Sequence, residues 1–272
     1  MLNAMTVDVE EYFQVSAFSD VVKRSEWPNY ESRVRESMDR ILGLFESHDM
    51  KATFFILGWI ARQHPQLVKQ IHRQGHEVAS HGMYHERVTE LTSQQFSTDL
   101  IDSRMLLEDI TGAQVKGYRA PSFSLPLTTQ SYEILADAGY RYSSSVYPIK
   151  HDHYGEPNAE RFNFEGGSGV LEVPISTLRI LGRNFPAGGG GFFRLLPYHY
   201  HKMGFSRLNK VEGKAGVFYM HPWEIDAEQP RPIGISAKGR FRHYLNLKKT
   251  YGRLARLLDD YVWSSIEQVY QF

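Results

Sequence analysis

Residues 4–11 read Ala4-Met5-Thr6-Val7-Asp8-Val9-Glu10-Glu11, an apolar run that turns acidic at its end. The run predicts a β-strand, in which successive side chains point to opposite faces. Val7 and Val9 then share one face, while Asp8 and Glu10 share the other. Two carboxylates on one face at a strand end can hold a metal ion and serve as a base. A half-buried strand with a solvated polar face is the alternative interpretation.

Strands and helices alternate along the rest of the chain. An amphipathic helix over residues 34–45 follows the first strand, and a second helix begins after Thr92, in a capping box, and ends at Gly112. A third helix runs over residues 128–138. This alternation predicts a largely parallel sheet of the α/β class, and seven strands would suit a barrel or partial barrel. The predicted strands are Ala4–Val9, Ala52–Leu57, Glu77–Ser80, Gly117–Arg119, Tyr140–Ser144, Val170–Pro174 and Gly216–Met220.

The composition excludes several classes of protein. The 272 residues include 31 Lys and Arg against 31 Asp and Glu, and this balance argues against a nucleic-acid binder. The absence of cysteine excludes disulfides, thiolate nucleophiles and cysteine-based metal sites. The longest apolar run, residues 54–61, is too short to span a membrane. We predict one domain over residues 1–272, in which residues 233–272 form a C-terminal helical closure.

The start of the sequence bears on localisation. No basic stretch followed by an apolar segment precedes the first strand, so no signal peptide is visible. We therefore expect a cytoplasmic protein. A periplasmic location stays open if the natural chain is longer.

Two histidines follow the strand Glu77–Ser80. His81 and His85 stand four positions apart, a spacing at which two imidazoles can converge on one ion, and neutral histidine suits zinc and similar metals. Gly82 permits a sharp turn directly after the strand. Two surface histidines in a loop would give the same pattern. Joined to a carboxylate from another strand end, the pair becomes a plausible site of two histidines and one carboxylate.

Two further patterns stand at strand ends. Pro121 stiffens the loop after Arg119, so the loop can aim a backbone N–H at an oxyanion while the arginine orients a carboxylate. A surface arginine before a turn is the alternative. His221 ends the last apolar strand, where its imidazole can act as a general acid because it titrates near neutral pH. A capped core histidine is the alternative.

Taken in this order, the four patterns resemble the motifs of the NodB-homology polysaccharide deacetylases, carbohydrate esterase family 4. The resemblance runs from Met5 to about Pro232 and implies an irregular (β/α) barrel of about seven strands. The segments Met5–Phe18 and His221–Asp226 look like the subgroup found with bacterial exopolysaccharide and exosortase gene clusters.

The resemblance implies a role for each catalytic position. Asp8 would be the catalytic base and Arg119 the residue that orients it. The backbone N–H of Ser122 would be the oxyanion donor and His221 the general acid. The family's fourth motif is not recognisable, and Glu172, which stands near its place, is the expected partner of His221.

The resemblance also implies a divalent metal, most simply Zn²⁺, with Co²⁺, Ni²⁺ and Mn²⁺ as alternatives. Its ligands would be His81, His85 and one carboxylate. Most family members have two adjacent aspartates in the first motif, whereas here a valine separates the two acids. The shared strand face favours Glu10 as the ligand, and Glu11 is the second choice.

The implied activity is that of a polysaccharide N-deacetylase, a hydrolase of linear amides. It would remove acetyl groups from amino sugars of a bacterial polysaccharide or its precursor. The expected partner is therefore an N-acetylated oligo- or polysaccharide, which the aromatic side chains of Tyr84, Phe123 and Trp223 would contact. The alternatives are an allantoinase-like or cyclic-imide amidohydrolase on the same scaffold, and a catalytically inactive carbohydrate-binding protein.

Overall fold

The chain forms eleven β-strands and ten α-helices in a computed structural model that describes all 272 residues. The strands are β1 (Leu2–Val9), β2 (Thr53–Ile56), β3 (Glu77–Ser80), β4 (Gly117–Tyr118), β5 (Tyr142–Ser143), β6 (Phe164–Gly167), β7 (Val170–Glu172), β8 (Thr177–Ile180), β9 (Arg183–Pro186), β10 (Val217–Met220) and β11 (Val262–Ser264). The helices are α1 (Val34–Ser47), α2 (Gly58–Gln63), α3 (Pro65–Arg73), α4 (Ser93–Thr111), α5 (Thr129–Asp137), α6 (Gly190–Leu195), α7 (Tyr198–Lys210), α8 (Ala237–Tyr244), α9 (Leu247–Asp260) and α10 (Ile266–Tyr270).

Seven strands run parallel in one curled sheet with the order β10-β1-β2-β3-β4-β5-β7. Strand β6 is antiparallel to β7 at one edge, and β11 pairs with the beginning of β1. The predicted α/β class and the irregular barrel of about seven strands are confirmed. Each of the seven predicted strands lies within two residues of an observed one, because apolar runs bounded by turns are local features of the sequence.

The barrel is completed by irregular backbone. The N–H of Tyr219 on β10 donates to the carbonyl of Gly188 (2.7 Å), and Gly189 forms an isolated parallel bridge with Tyr219. The N–H of Val217 donates to the hydroxyl of Ser176 (2.7 Å). Between Ser176 and Gly188 the chain forms an antiparallel hairpin of β8 and β9, which the sequence analysis did not predict.

Strand β1 separates two apolar regions. Met5, Val7 and Val9 belong to the large core between the sheet and the helices, whereas Ala4 belongs to a smaller cluster inside the barrel. Because side chains alternate along a strand, Asp8 points to the same side as Ala4. The predicted two-faced character of this strand is therefore observed, and the face that carries Asp8 is the barrel interior.

Local signals explain the helix ends. Thr92 and Gln95 form the predicted capping box at the start of α4, and Gly112 ends that helix with φ +70°. Residues 233–272, predicted as a helical closure, contain α8, α9 and α10 together with the short strand β11. None of the helices combines the length and the apolar character that crossing a membrane requires.

Candidate metal centre and active site

Four parallel strands deliver the candidate residues to one end of the barrel. Asp8 is the second-last residue of β1. His81, Arg119 and His221 directly follow β3, β4 and β10, respectively. The carboxyl ends of parallel strands meet at the same edge of a sheet, which is where α/β barrels carry their chemistry. Residues far apart in sequence are therefore brought together by the register of the strands.

Glu10, His81 and His85 form a cluster that could hold a metal ion. One ligand atom from each lies within 4.8 Å of the other two. Nε2 of His85 is 2.8 Å from Oε2 of Glu10, and the two imidazole rings are 5.3 Å apart between centroids. The cluster contains Glu10, the residue preferred from the strand alternation.

The donor set fits a divalent cation. Oε2 of Glu10 is buried and has no aligned hydrogen-bond donor despite the nearby imidazole, so its lone pairs are available. Nδ1 of His81 donates to the carbonyl of Arg119 (2.8 Å), which leaves Nε2 as the free ligand atom. Such a set of imidazole and carboxylate suits zinc and related metals.

Electrostatics keeps these groups in their ligating forms. Burial acts to raise the pKa of Glu10, but the imidazoles of His85, His221 and His81 outweigh it and lower that pKa to about 2. Burial lowers the pKa of His81 to about 4, so its imidazole is neutral at pH 7. A neutral imidazole and an ionised carboxylate are the forms that bind metal ions.

The loop between the two histidines has a fixed shape. Gly82 has φ +75°, and a Cβ there would lie 2.7 Å from Oδ2 of Asp99 on α4. Oδ1 of Asp99 accepts the N–H of Met83 (2.9 Å), and burial raises the pKa of Asp99 to about 6. The turn therefore needs glycine, and Asp99 holds it so that His85 returns towards His81.

Arg119 is fully buried inside the barrel and holds Asp8. Its Nη1 donates to Oδ1 of Asp8 (2.6 Å) and to the hydroxyl of Thr6 (2.8 Å). Its Nε and Nη2 donate to the carbonyl and hydroxyl of Ser144, and its guanidinium lies 4.1 Å from the ring of Phe55. Because all three nitrogens of the guanidinium are hydrogen-bonded and Phe55 lies against it, Arg119 fixes one oxygen of Asp8 in place.

His221 faces both carboxylates of the first strand. Its Nε2 is 3.6 Å from Oε1 of Glu10 and 3.9 Å from Oδ2 of Asp8. Its Nδ1 donates to Oε1 of Glu224 (2.7 Å). Burial acts to lower the pKa of His221, but the carboxylates of Glu10, Glu224 and Asp8 outweigh it and raise that pKa to about 9.

The predicted pairing of Glu172 with His221 is wrong. Glu172 accepts the N–H groups of Ser145 and Val146 and the hydroxyl of Tyr132, and it thereby fixes the loop after β5. Glu224 takes the position beside His221 because a short helical turn, Pro222–Ile225, returns its side chain to the histidine three residues earlier. The sequence His221-Pro222-Trp223-Glu224 contained that signal.

Glu11, the second choice as ligand, points away from the cluster. Its carboxylate accepts the N–H groups of Arg33 and Val34 and the hydroxyl of Ser32 at the start of α1. Free N–H groups at a helix start attract a carboxylate, so this position is explained by helix capping.

The predicted sugar contact at Trp223 is also contradicted. Its side chain is buried between the rings of His221 (5.0 Å) and His243 (4.1 Å), both nearly parallel to it. Its Nε1 donates to Oε1 of Glu10 (3.2 Å). Trp223 therefore supports Glu10 and His221, and the faces of its ring are already covered.

The loop after Arg119 carries the remaining predicted residues. Ser122 and Phe123 have φ of +53° and +50°, and the hydroxyl of Ser122 lies 2.6 Å from that of Ser16. Phe123 is half-buried against Tyr219 and two other tyrosines. Tyr84, between the two histidines, is half-buried and accepts a hydrogen bond from Arg62 (3.0 Å). The roles of Ser122, Phe123 and Tyr84 stay predictions.

Fold and site together define an α/β barrel with a candidate metal centre at the carboxyl ends of its strands. Residues 23–143 match the family described as polysaccharide deacetylase. Residues 144–271 match a family described as a domain of unknown function, DUF3473. The match over residues 23–143 confirms the resemblance to the polysaccharide deacetylases. Membership of the exopolysaccharide subgroup stays a prediction.

Relatives cover only part of the chain. A peptidoglycan deacetylase of Helicobacter pylori is 34% identical over 107 residues, which are 39% of this chain and 36% of that protein. The matched segments span 28% to 36% of the length of the first three relatives. Residues 8, 10 and 221 lie outside the matched range 23–143.

Solved structures share the fold over nearly the whole chain. A candidate polysaccharide deacetylase from Mycobacterium smegmatis aligns with a TM-score of 0.60 and 18% identity, over 99% of this chain and 90% of that one. A family 4 pseudoenzyme from Bacillus anthracis aligns with a TM-score of 0.51 and 15% identity, over 98% of this chain and 64% of that one. At these identities the likeness establishes the fold, and the fold hosts both active and inactive members.

Proposed function

We propose that this protein is a metal-dependent N-deacetylase that removes acetyl groups from amino sugars of a bacterial polysaccharide or its precursor. The observation that carries the proposal is the arrangement of Glu10, His81 and His85 beside Asp8 and His221. A candidate metal site, a candidate base and a candidate acid then lie within one small volume. These are the components that hydrolysis of an unactivated amide needs.

The metal that we propose is zinc, held by Glu10, His81 and His85. A divalent cation at this position would supply Lewis acidity toward a carbonyl oxygen and make a water molecule easier to deprotonate. The nitrogen and oxygen donors present are compatible with cobalt, nickel and manganese as well.

Asp8 is proposed as the base that takes a proton from the attacking water. The 2.6 Å bond from Arg119 occupies Oδ1, so Oδ2 is the oxygen that faces the site and His221. A base held in a fixed orientation loses little entropy when it reacts. Arg119 acts through this orientation and does not contact the substrate.

Ser122 and His221 are proposed to act on the acetamide. The backbone N–H of Ser122 would donate to the developing oxyanion, a contribution that is typically worth about 3–4 kcal/mol. His221 would deliver a proton from Nε2 to the departing nitrogen, since its Nδ1 is already committed to Glu224. Without that proton the amine is a poor leaving group.

The substrate class rests on the family and on the relatives, which include a peptidoglycan deacetylase. We propose an N-acetylated oligo- or polysaccharide, and the half-buried Phe123 and Tyr84 as contacts for its rings. Aromatic faces beside a polar centre are suited to the apolar faces of sugars.

The test is an acetate assay on the purified protein, first stripped of metal and then reloaded with zinc, cobalt, nickel or manganese. We expect acetate release from N-acetylglucosamine oligomers by the reloaded protein and none by the stripped protein. Hydrolysis of a cyclic ureide without acetate release would favour the amidohydrolase alternative. Binding of the oligomer without turnover under every metal would establish an inactive carbohydrate-binding protein.

A further inference from the structure

The four glycines Gly188–Gly191 bring helix α6 against the strand that carries His221. Gly189 has φ +114°, and a Cβ there would overlap the carbonyl of Tyr219 on β10. A Cβ at Gly190 would overlap the hydroxyl of the same tyrosine. Only glycine permits this approach, so the loop delivers α6 to the carboxyl end of β10.

Arg194 is the residue of α6 that this approach places beside the candidate acid. Its side chain is almost completely buried, and its Nε donates to Oε2 of Glu224 (3.3 Å). Its guanidinium carbon lies 5.1 Å from the ring centroid of Trp223. Arg194 therefore contacts both residues that hold His221: it forms an ion pair with Glu224, and its guanidinium lies beside the ring of Trp223.

The other side of Arg194 is tied to the C-terminal segment. Its Nη1 donates to the carbonyls of Arg242 (2.9 Å), His243 (2.7 Å) and Leu245 (3.1 Å) at the end of α8. The last carbonyls of a helix lack partners within the helix, so they are natural acceptors for a cation. The helix end fixes the guanidinium, and the guanidinium in turn fixes Glu224.

We propose that Arg194 is a positioning residue of the active site, which holds Glu224 and Trp223 so that His221 presents Nε2 to the substrate. The inference rests on the proposed function of His221 as the proton donor. It also assigns a task to residues 144–271, the part that matches a domain of unknown function: they supply His221 together with the buried contacts that orient it.

The physical reason is the environment of Glu224. Its carboxylate is completely buried, with Oε1 on His221 and Oε2 on Arg194. A buried carboxylate that loses its cation either turns toward other donors or takes up a proton. Either change weakens the acceptor at Nδ1 of His221, so the imidazole can rotate or adopt the other tautomer.

The experiment compares Arg194→Met with Arg253→Met in the zinc-loaded protein. Arg253 is a matched control because it also donates to three backbone carbonyls, those of Phe193, Arg194 and Leu196, but does not bond Glu224. For Arg194→Met we expect kcat to fall roughly 10- to 100-fold, as is typical when the partner of a site residue is removed. KM and zinc content should stay close to wild type, and Arg253→Met should retain kcat.

A second readout does not depend on turnover. In ¹⁵N-labelled, zinc-loaded protein, the Nδ1–H of His221 should give a downfield proton signal because it donates to a buried carboxylate. We expect this signal in wild type and in Arg253→Met, and its loss or displacement in Arg194→Met. If wild type shows the signal but releases no acetate, the proposed function fails while the positioning role stands.

Two results would overturn the inference: an unchanged signal and kcat in Arg194→Met, or equal losses in Arg253→Met at the same thermal stability. If Arg194→Met does not fold, Arg194→Lys replaces it, since lysine keeps the charge but lacks the planar fork that reaches Glu224 and the carbonyls together. A displaced signal and a smaller loss of kcat are then expected, and wild-type values of both would contradict the positioning role.

Discussion

The two halves of the chain build the same barrel in different ways. Residues 2–143 supply β1–β5 in regular alternation with helices, and the metal-ligand candidates lie in the segments that follow β1 and β3. Residues 144–271 supply β7 and β10, but they also contain the hairpin β8–β9, the glycine loop and the C-terminal helices. The first half places its site residues through strand register. The second half also places His221 at the end of a parallel strand, but a chain of buried side chains orients its imidazole.

This difference indicates which changes each half should tolerate. Donors at strand ends depend on the sheet, which many contacts hold, so single changes should affect their own chemistry and little else. The orientation of the His221 imidazole depends on Glu224, Trp223 and, in our proposal, Arg194. Substitutions away from the reacting atoms should therefore alter the activity of His221. Variants in the two halves can therefore separate metal binding from proton transfer.

The largest effect is expected for His81→Ala in the first half. The change removes one of the three proposed metal ligands, so zinc content should fall sharply and acetate release should drop by more than the roughly 100-fold that loss of an outer partner costs. Metal analysis and the acetate assay measure both. His199→Ala, at an exposed histidine of α7, is the control and should match wild type. Full zinc content with wild-type turnover in His81→Ala would remove the metal assignment.

Asp8→Asn should separate the base from the metal. Asparagine keeps an oxygen that can accept from Arg119, but it cannot take a proton, and loss of a general base typically costs about 10²- to 10⁴-fold in kcat. Zinc content should be unchanged. If the variant loses its zinc together with its activity, Asp8 is a metal ligand, and the proposed roles of Asp8 as base and Glu10 as ligand are wrong.

The sequence predicted most of the strands and site positions in the first half of the chain, and fewer of the contacts in the second half. The strand positions and the shared face of Asp8 and Glu10 follow from local periodicity, which needs no knowledge of distant contacts. The burial of Trp223 could not be predicted in this way, because the ring that covers it, His243, lies on α8 twenty residues later. The hairpin β8–β9 and the contacts of Arg194 likewise depend on long-range packing.

Glu224→Gln and Glu172→Gln test the partner of His221 in the second half. Glutamine at 224 keeps the shape but weakens the acceptor for Nδ1 of His221, so kcat should fall roughly 10- to 100-fold. At 172 the carboxylate holds the backbone of Ser145 and Val146, so the change should lower stability and leave kcat near wild type. A large loss of kcat in Glu172→Gln, without a loss of stability, would restore the pairing expected from the sequence.

The smallest effect concerns the two adjacent acids after β1: Glu11 caps the start of α1, and Glu10 belongs to the candidate metal cluster. In Glu11→Gln, one oxygen becomes an amide group that cannot accept from the start of α1, and the free energy of unfolding should fall by about 1–2 kcal/mol. Zinc content and kcat should stay at wild type, because Glu11 lies outside the metal cluster. Glu10→Gln should show the opposite pattern: zinc content should fall, and the free energy of unfolding of the metal-free protein should change little. Denaturant unfolding of both metal-free variants, together with metal analysis, measures this difference. Loss of zinc from Glu11→Gln but not from Glu10→Gln would show that Glu11, and not Glu10, is the metal ligand.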